Sequence, residues 1–298
     1  MPIQVTIARN EVELAADLFV PAGFDPTQEY VAVVVQGSLT SVKKQMPASY
    51  ARRLADHGFV ALTFDYSHYG RSTGNPRQLE CPSEKLLDLQ AVLTHLLAQP
   101  YVSKVAMVGV CTSAGNAAYL AAADPRLAAV ATVAGMLPEP ALFEALYGAD
   151  GVAARRQRAL DAHTTWTATG QQTLVPAYSE TDPSAVNYNP APGAYDYYLN
   201  PARGGIPEYT NALDVASLHD WLEFDPISQA AAITIPALVV HSNGSAFPEQ
   251  AKRFHDLLAG PKEMAWLEGN HFDYYDSDTH IDTAVRTVSD FLHSSLTA

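Results

Sequence analysis

The sequence predicts an α/β protein with a mostly parallel central sheet flanked by helices. Three observations carry that prediction. Continuous apolar runs such as "YVAVVVQGS" (30–38) and "FVALTFDYS" (59–67) read as strands buried on both faces. Helical patterns alternate with these runs at βαβ spacing, which implies parallel pairing with right-handed crossovers. The alternation lapses between about 136 and 232 and then resumes, so one sheet is interrupted by an insertion.

Taken in order, residues 3–20 alternate in polarity as two antiparallel strands turning at Arg9-Asn10-Glu11. The strand at 30–38 is followed by a helix with Tyr50, Leu54 and Ala55 on its apolar side, stopped at His57-Gly58. The strand at 59–67 leads through a Gly- and Ser-rich loop to a helix at 83–99. Next come a strand at 105–110, a helix rich in alanine and the strand "LAAVATVAG" (127–135). After the insertion, "IPALVVHS" (235–242), a helix at 248–259, "KEMAWLEG" (262–269) and a helix from about 280 close the chain. The predicted division is thus 1–135 with 233–298 as one α/β domain and 136–232 as an insertion.

Composition narrows the function. With 298 residues, 48% hydrophobic and 17% charged, the chain is well cored. A net charge of −14 with no basic run argues against nucleic acid or an anionic membrane as partner. Two cysteines, Cys81 and Cys111, make no disulfide framework. The first residues lack a charged segment followed by an apolar core, and no run reaches membrane-spanning length, so a cytoplasmic location is expected. Neither a G-x-G-x-x-G turn after the first strand nor a metal-ligand cluster is present, so no cofactor and no metal are expected. Asp273, Asp276 and Asp278 lack the spacing of a calcium loop and read as a solvated acidic turn.

The chemistry concentrates in "KVAMVGVCTSAGNAAYLAAADP" (104–125), where an apolar strand breaks into small residues and then a helix. A strained strand–turn–helix elbow presents a nucleophile at its tip and requires small residues two before and two after it. Centred on Cys111, Gly109 and Ser113 meet that need and the apolar run stays in the strand. Centred on Ser113, Cys111 and Gly115 fill the small positions, but the turn moves past the end of the run. Register favours Cys111, with Ser113 the alternative. The helix N-terminus is expected to lower the thiol from a free value of roughly 8.5 toward neutrality.

These residues, with "QGSLTSVKKQMPASYARRLADHGFVALTFDYSHYGRSTGNPRQLECP" before them, resemble the dienelactone-hydrolase-like and X-prolyl-peptidase-like branch of the α/β-hydrolase superfamily. The resemblance spans 30–135 and 235–298 and implies an α/β-hydrolase fold with an inserted lid. In dienelactone hydrolases the elbow nucleophile is cysteine, which falls on Cys111. The resemblance implies an oxyanion hole from the N–H of Thr112 and that of Ser38 or Leu39, with Gln36-Gly37 standing at the family's His-Gly pair. It places the base at His271, in "LEGNHFDYYDSDTH", and His280 at the start of the final helix. Asp65, Gly70 and Ser72, spaced D-x-x-x-x-G-x-S, resemble the family's D-x-x-G-x-S stretch, with Asp65 a structural turn residue; His68 and Tyr69 are placed at the pocket mouth.

The third triad member departs from the pattern. Counting back four residues from Pro248 reaches Gly244, beside Asn243, and no carboxylate lies between Asp225 and Glu249. Asn243 could orient His271 through its amide oxygen, as in Cys–His–Asn sites; Glu249 and Glu80 are the other candidates. The insertion holds 9 of the 20 prolines and 7 of the 15 tyrosines. Trp166, Tyr195, Tyr197, Tyr198 and Trp221 are expected either as an aromatic wall over the substrate or as the lid's own core or a homodimer contact. The implied activity is hydrolysis of an ester, thioester or lactone on a small-molecule acyl substrate. Acyl transfer or cyclisation, and a non-catalytic ligand-binding member with a degraded triad, are the rival expectations.

Overall fold

In the computed structural model, which describes residues 1–296, one twisted sheet of eight strands runs through the molecule. The strands are β1 (Ile3–Arg9), β2 (Val12–Phe19), β3 (Tyr30–Gln36), β4 (Val60–Phe64), β5 (Val102–Val110), β6 (Leu127–Val133), β7 (Ala237–Gly244) and β8 (Lys262–Asn270). Their spatial order is β1-β2-β4-β3-β5-β6-β7-β8. The first two strands pair antiparallel with each other, and β2 pairs antiparallel with β4. From β4 to β8 every neighbouring pair is parallel.

The apolar runs explain this order. Val33, Val34 and Val35 of β3 and Val105, Ala106, Met107 and Val108 of β5 are all buried, because helices cover both faces. Helices α1 (Met46–Asp56) and α6 (Asp278–Leu296) cover one face, sharing a core with Val33, Val35, Ala106 and Val108. Helices α2 (Pro82–Leu97), α3 (Ser113–Ala123) and α5 (Pro248–Leu257) cover the other, with Ala32, Val34, Val105 and Met107. Full burial of one such side chain contributes about 1.5–3 kcal/mol, so the two layers hold the strand ends where the site is built.

Between β6 and β7 the chain adds no strand to the main sheet. The strand–helix alternation of the sequence lapses there, yet the structure contains a long helix, α4 (Pro140–Thr169), broken at Gly148 with φ 69° and ψ 163°. Prolines and tyrosines elsewhere in the segment mask its helical stretch "AARRQRALDAHTTW", which has strong helix formers and one buried stripe at Ala159 and Ala162. The segment is tied to the turn before α1. Gln45 Nε2 donates to the Gly204 carbonyl at 2.6 Å, and the Met46 N–H donates to the Tyr197 hydroxyl at 3.1 Å. Thr40 and Tyr209 share a hydrogen bond at 3.1 Å. Among the described residues, no helix is long and apolar enough to cross a membrane.

Candidate active site

Cys111 sits at the tip of a sharp turn between β5 and α3, with φ at +55°. That conformation costs a non-glycine residue on the order of 1–3 kcal/mol and persists only where the surroundings enforce it. Here they do. The Cys111 N–H donates to Val133 and its carbonyl accepts from Ala114 and Met136, each at 3.0 Å. The Ser113 N–H donates to Gly37 at 3.1 Å, closing the turn against the end of β3. Gly109 is obligatory: a Cβ there would lie 2.1 Å from the Ser113 carbonyl oxygen.

Ser113 is the first residue of α3 and is buried, its hydroxyl 3.5 Å from the Asn116 amide, while Cys111 lines the cavity below the inserted segment and Ser113 does not. The sulphur lies 3.7 Å from the Thr112 hydroxyl. That hydroxyl in turn accepts the Leu39 N–H at 3.1 Å. The backbone N–H groups of Thr112 and Leu39 help to hold the thiol pKa down against its burial. Of the alternatives Ser38 and Leu39, Leu39 directs its N–H to the Thr112 hydroxyl beside the sulphur, while the Ser38 hydroxyl faces Met46 Sδ at 4.0 Å. Gln36 spans β3 and β4 by donating to the Phe64 carbonyl at 3.0 Å, a structural tie.

The thiol does not follow the helix-dipole expectation. Burial pushes the Cys111 pKa above its ordinary value, and this outweighs the donors from Tyr275, Thr112 and Leu39 that pull it down. Cys111 is only 5% exposed, so the loss of hydration dominates.

His271 follows β8, as the spacing predicts, and lines the same cavity. Its surroundings differ from those of a triad base. Nδ1 accepts the Ala246 N–H at 3.2 Å, and Nε2 lies 2.9 Å from the Tyr275 hydroxyl. An acceptor at Nδ1 leaves the ring proton on Nε2, the opposite tautomer from a histidine oriented by a carboxylate. Burial lowers its pKa to about 4, with His241 nearby adding to the effect. His241, at the end of β7, is fully buried against Trp266, with ring centroids 5.3 Å apart. Burial lowers its pKa to about 4 as well.

None of the three residues proposed to orient His271 reaches it. Asn243 is exposed and its Oδ1 accepts the Trp266 indole N–H at 3.1 Å, because the bulge between Ser242 and Gly244 turns the side chain outward. Glu249 stands in solvent on the first turn of α5, paired with Lys252 at 2.8 Å. Glu80 is buried, held by Lys85 at 2.6 Å and by the Tyr69 hydroxyl at 3.0 Å, and does not line the cavity.

Tyr69 is thus turned into the core, and His68 packs over the turn, its Nδ1 2.8 Å from the Pro76 carbonyl; neither lines the pocket mouth. Asp65 accepts from the N–H groups of Lys43 and Arg71 at 2.7 and 2.9 Å, as a turn residue does. His280 lies in the first turn of α6, its Nδ1 2.8 Å from the Ser277 hydroxyl. Asp276 pairs with Arg203, Asp278 with Arg53, and Asp273 caps the Asn270 N–H.

The cavity over Cys111 measures about 250 Å³. Its walls include Phe143, Leu146 and Tyr147 from the first part of α4, Tyr178, and the expected Tyr195, Tyr198 and Trp221. Trp166 and Tyr197 do not line it. Trp166 is half-buried on α4, while Tyr197 packs edge-on against Tyr198 and Tyr275 behind the wall. The lining carries no Asp, Glu, Lys or Arg. Sequence reasoning missed Tyr275; its place four residues after His271 was the available signal, since a helical turn brings such residues together.

A model of the X-Pro dipeptidyl-peptidase (S15) family matches residues 10–273. The chain belongs to that family. The protein YcjY of Escherichia coli is 27% identical over 294 residues, 96% of this chain and 95% of that protein. The thiohydrolase aneE of Aspergillus aculeatus is 25% identical over 248 residues, 80% of this chain and 78% of that one. Among solved structures, the α/β hydrolase GrgF of a Penicillium species superposes with a TM-score of 0.82 at 22% identity, over the full length of both chains. The fold is that of an α/β hydrolase, and the family model and the thiohydrolase relative support hydrolase-type activity.

Proposed function

We propose that this protein hydrolyses esters or thioesters of an uncharged, largely apolar acyl group, with Cys111 as nucleophile. The observation that carries the reading is a cysteine held at a strained elbow tip, facing a cavity with no charged side chain. A peptide with a free N-terminus needs a carboxylate to receive its α-ammonium, and a carboxylated lactone needs a cation; an unpaired charge in such a cavity would be costly. The aromatic and aliphatic lining suits a neutral acyl chain or ring. The oxyanion would form between the N–H groups of Thr112 and Leu39. Residues 136–232 would serve as the lid over a catalytic domain of 1–135 and 233–298, as in a dienelactone-hydrolase-like member of the superfamily. The name of the Aspergillus relative, a thiohydrolase, is consistent with thioesters.

The test is acylation. Incubation with p-nitrophenyl hexanoate and hexanoyl-N-acetylcysteamine should add one hexanoyl group to Cys111, read by intact mass and peptide mapping. Cys111→Ala should lose the adduct and at least ~10³-fold in turnover. Turnover undiminished in Cys111→Ala, with loss in Ser113→Ala, would move the nucleophile to Ser113. No adduct and no turnover of either ester would favour a ligand-binding role. The apolar cavity beneath the inserted segment also suits transfer to an acceptor other than water; acylated product formed from added alcohol or amine would reveal it.

A further inference from the structure

The segment between β6 and β7 carries a second, smaller cavity of about 50 Å³ beside the one over Cys111. Tyr147 and Trp221 line both, so the two spaces share an aromatic wall. Val186 lines the smaller space and its neighbour Asn187 the larger. The chemistry changes across that wall. No Asp, Glu, Lys or Arg lines the larger cavity, whereas Arg155 and Arg158 line the smaller one, and no carboxylate joins them there.

The two arginines stand three residues apart on α4 and so share a face, where like charges destabilise a helix. The chain has 32 acidic residues against 18 basic ones, yet neither arginine has an ion-pair partner among the described residues. The carboxylates adjoining them in sequence or around the cavity are engaged elsewhere. Glu223 pairs with Arg156, and Asp161 accepts from Gln157 at 2.9 Å. Asp182 accepts the N–H and hydroxyl of Ser184, at 2.8 and 2.7 Å. Glu180 holds the N–H groups of Gly193 and Tyr195, at 3.0 and 2.9 Å. The Arg155 guanidinium lies 3.8 Å over the Tyr147 ring, and Nη1 donates to the Gly151 carbonyl at 3.2 Å. Stacking thus holds a cation against the shared wall and leaves most of its N–H fork free.

We propose that Arg155 and Arg158 form an anion subsite for the leaving-group arm of the substrate, which is the thioester of a phosphate-bearing thiol. The inference rests on the thioester reading of the cavity over Cys111. A neutral acyl group occupies the uncharged space, and the thiol arm leaves it past Tyr147 and Trp221. Its phosphate then meets two guanidinium groups, whose planar forks match phosphate oxygens. The smaller cavity is too small for the acyl group itself, and an anion buried in the larger one would lack a partner. The arginines take no part in bond making. They bind the arm equally before and during reaction, so they act on KM more than on kcat.

The test holds the acyl group fixed and varies the thiol. Hexanoyl-coenzyme A should be used with kcat/KM at least ~10-fold above hexanoyl-N-acetylcysteamine, which carries no phosphate. The double variant Arg155→Gln with Arg158→Gln should abolish that ratio through KM, and about 0.5 M salt should reduce it in the unaltered protein. Arg158→Gln alone, which leaves the Arg155 stacking in place, should lower the ratio by ~3-fold. Hexanoyl-phosphopantetheine locates the phosphate: use equal to the coenzyme A thioester assigns the pantetheine phosphate, and weaker use assigns those of the nucleotide. Equal use of all three thioesters, or a ratio unmoved in the double variant, would overturn the subsite. So would adipoyl-N-acetylcysteamine, anionic at its acyl end, if it were preferred to the hexanoyl thioester and lost that preference in the double variant. The function reading fails separately, by the absence of an acyl group on Cys111 with any of these thioesters. Calorimetry with free coenzyme A still reads the subsite in that case, as binding weakened at least ~5-fold in the double variant.

Discussion

The two ends of the site are built in different ways. At the elbow, backbone geometry does everything: Gly109, the positive φ of Cys111 and the start of α3 place the sulphur, and small residues encode all three. At the histidine end, side chains and one amide decide the outcome. His271 stands at the position the spacing predicts, yet the Ala246 N–H and the Tyr275 hydroxyl assign it a different tautomer and a different neighbour. The contrast teaches that a catalytic position and a catalytic state are separate properties. Strand order supplies the first; local hydrogen bonding supplies the second.

The contrast breaks most directly at Gly109. Gly109→Ala forces a methyl onto the Ser113 carbonyl oxygen, 2.1 Å away, and onto the adjoining Ser113–Ala114 peptide, which is backbone and cannot swing aside. The expected cost is roughly 3 kcal/mol, seen as a lower urea midpoint, together with loss of acylation as Cys111 leaves its pose. A variant with unchanged stability and activity would mean that the elbow is less constrained than its geometry implies.

At the histidine end the comparison is sharpened by pH. His241 and His271 both have pKa values lowered to about 4 in the fold, against about 6.5 unfolded. As pH falls, the unfolded chain takes up these protons first. Stability is therefore full above about pH 6.5 and is lost toward pH 4, by on the order of 2–3 kcal/mol per histidine. His241→Phe, which keeps a ring against Trp266, should flatten this loss in urea unfolding series at pH 7.5 and 4.5. An unaltered pH dependence would remove His241 from the account.

The smallest effect is expected at Asn243. Its side chain holds the exposed edge of Trp266 and does not touch His271. Asn243→Ala should leave kcat/KM within about twofold and stability within about 1 kcal/mol, since the bond it removes is exposed. A hundredfold fall would restore the Cys–His–Asn arrangement.

Much of the architecture was legible in the residues. Buried valine runs announced the parallel strands, and the break in alternation marks the stretch between β6 and β7 that adds no strand to the main sheet. The helix α4 was not legible, because its apolar stripe is narrow and the prolines and tyrosines around it dominate the composition. The elbow was legible because a turn that tight tolerates few residue types. Tyr275 and the fate of Asn243, Glu80 and Glu249 were not, because a side chain's partner depends on which distant groups the fold brings within about 3 Å.

By itself, then, the sequence determined the sheet, the elbow with cysteine at its tip, the histidine after the last strand and the lack of an acid beside it. Each is a local matter of periodicity, residue size or spacing. Only the tertiary structure decided that Leu39 brings its N–H to the Thr112 hydroxyl beside the sulphur, that the cavity walls carry no Asp, Glu, Lys or Arg, and that the Tyr275 hydroxyl meets His271. Those depend on contacts across long stretches of chain, where packing and burial choose among partners that the sequence leaves equally available.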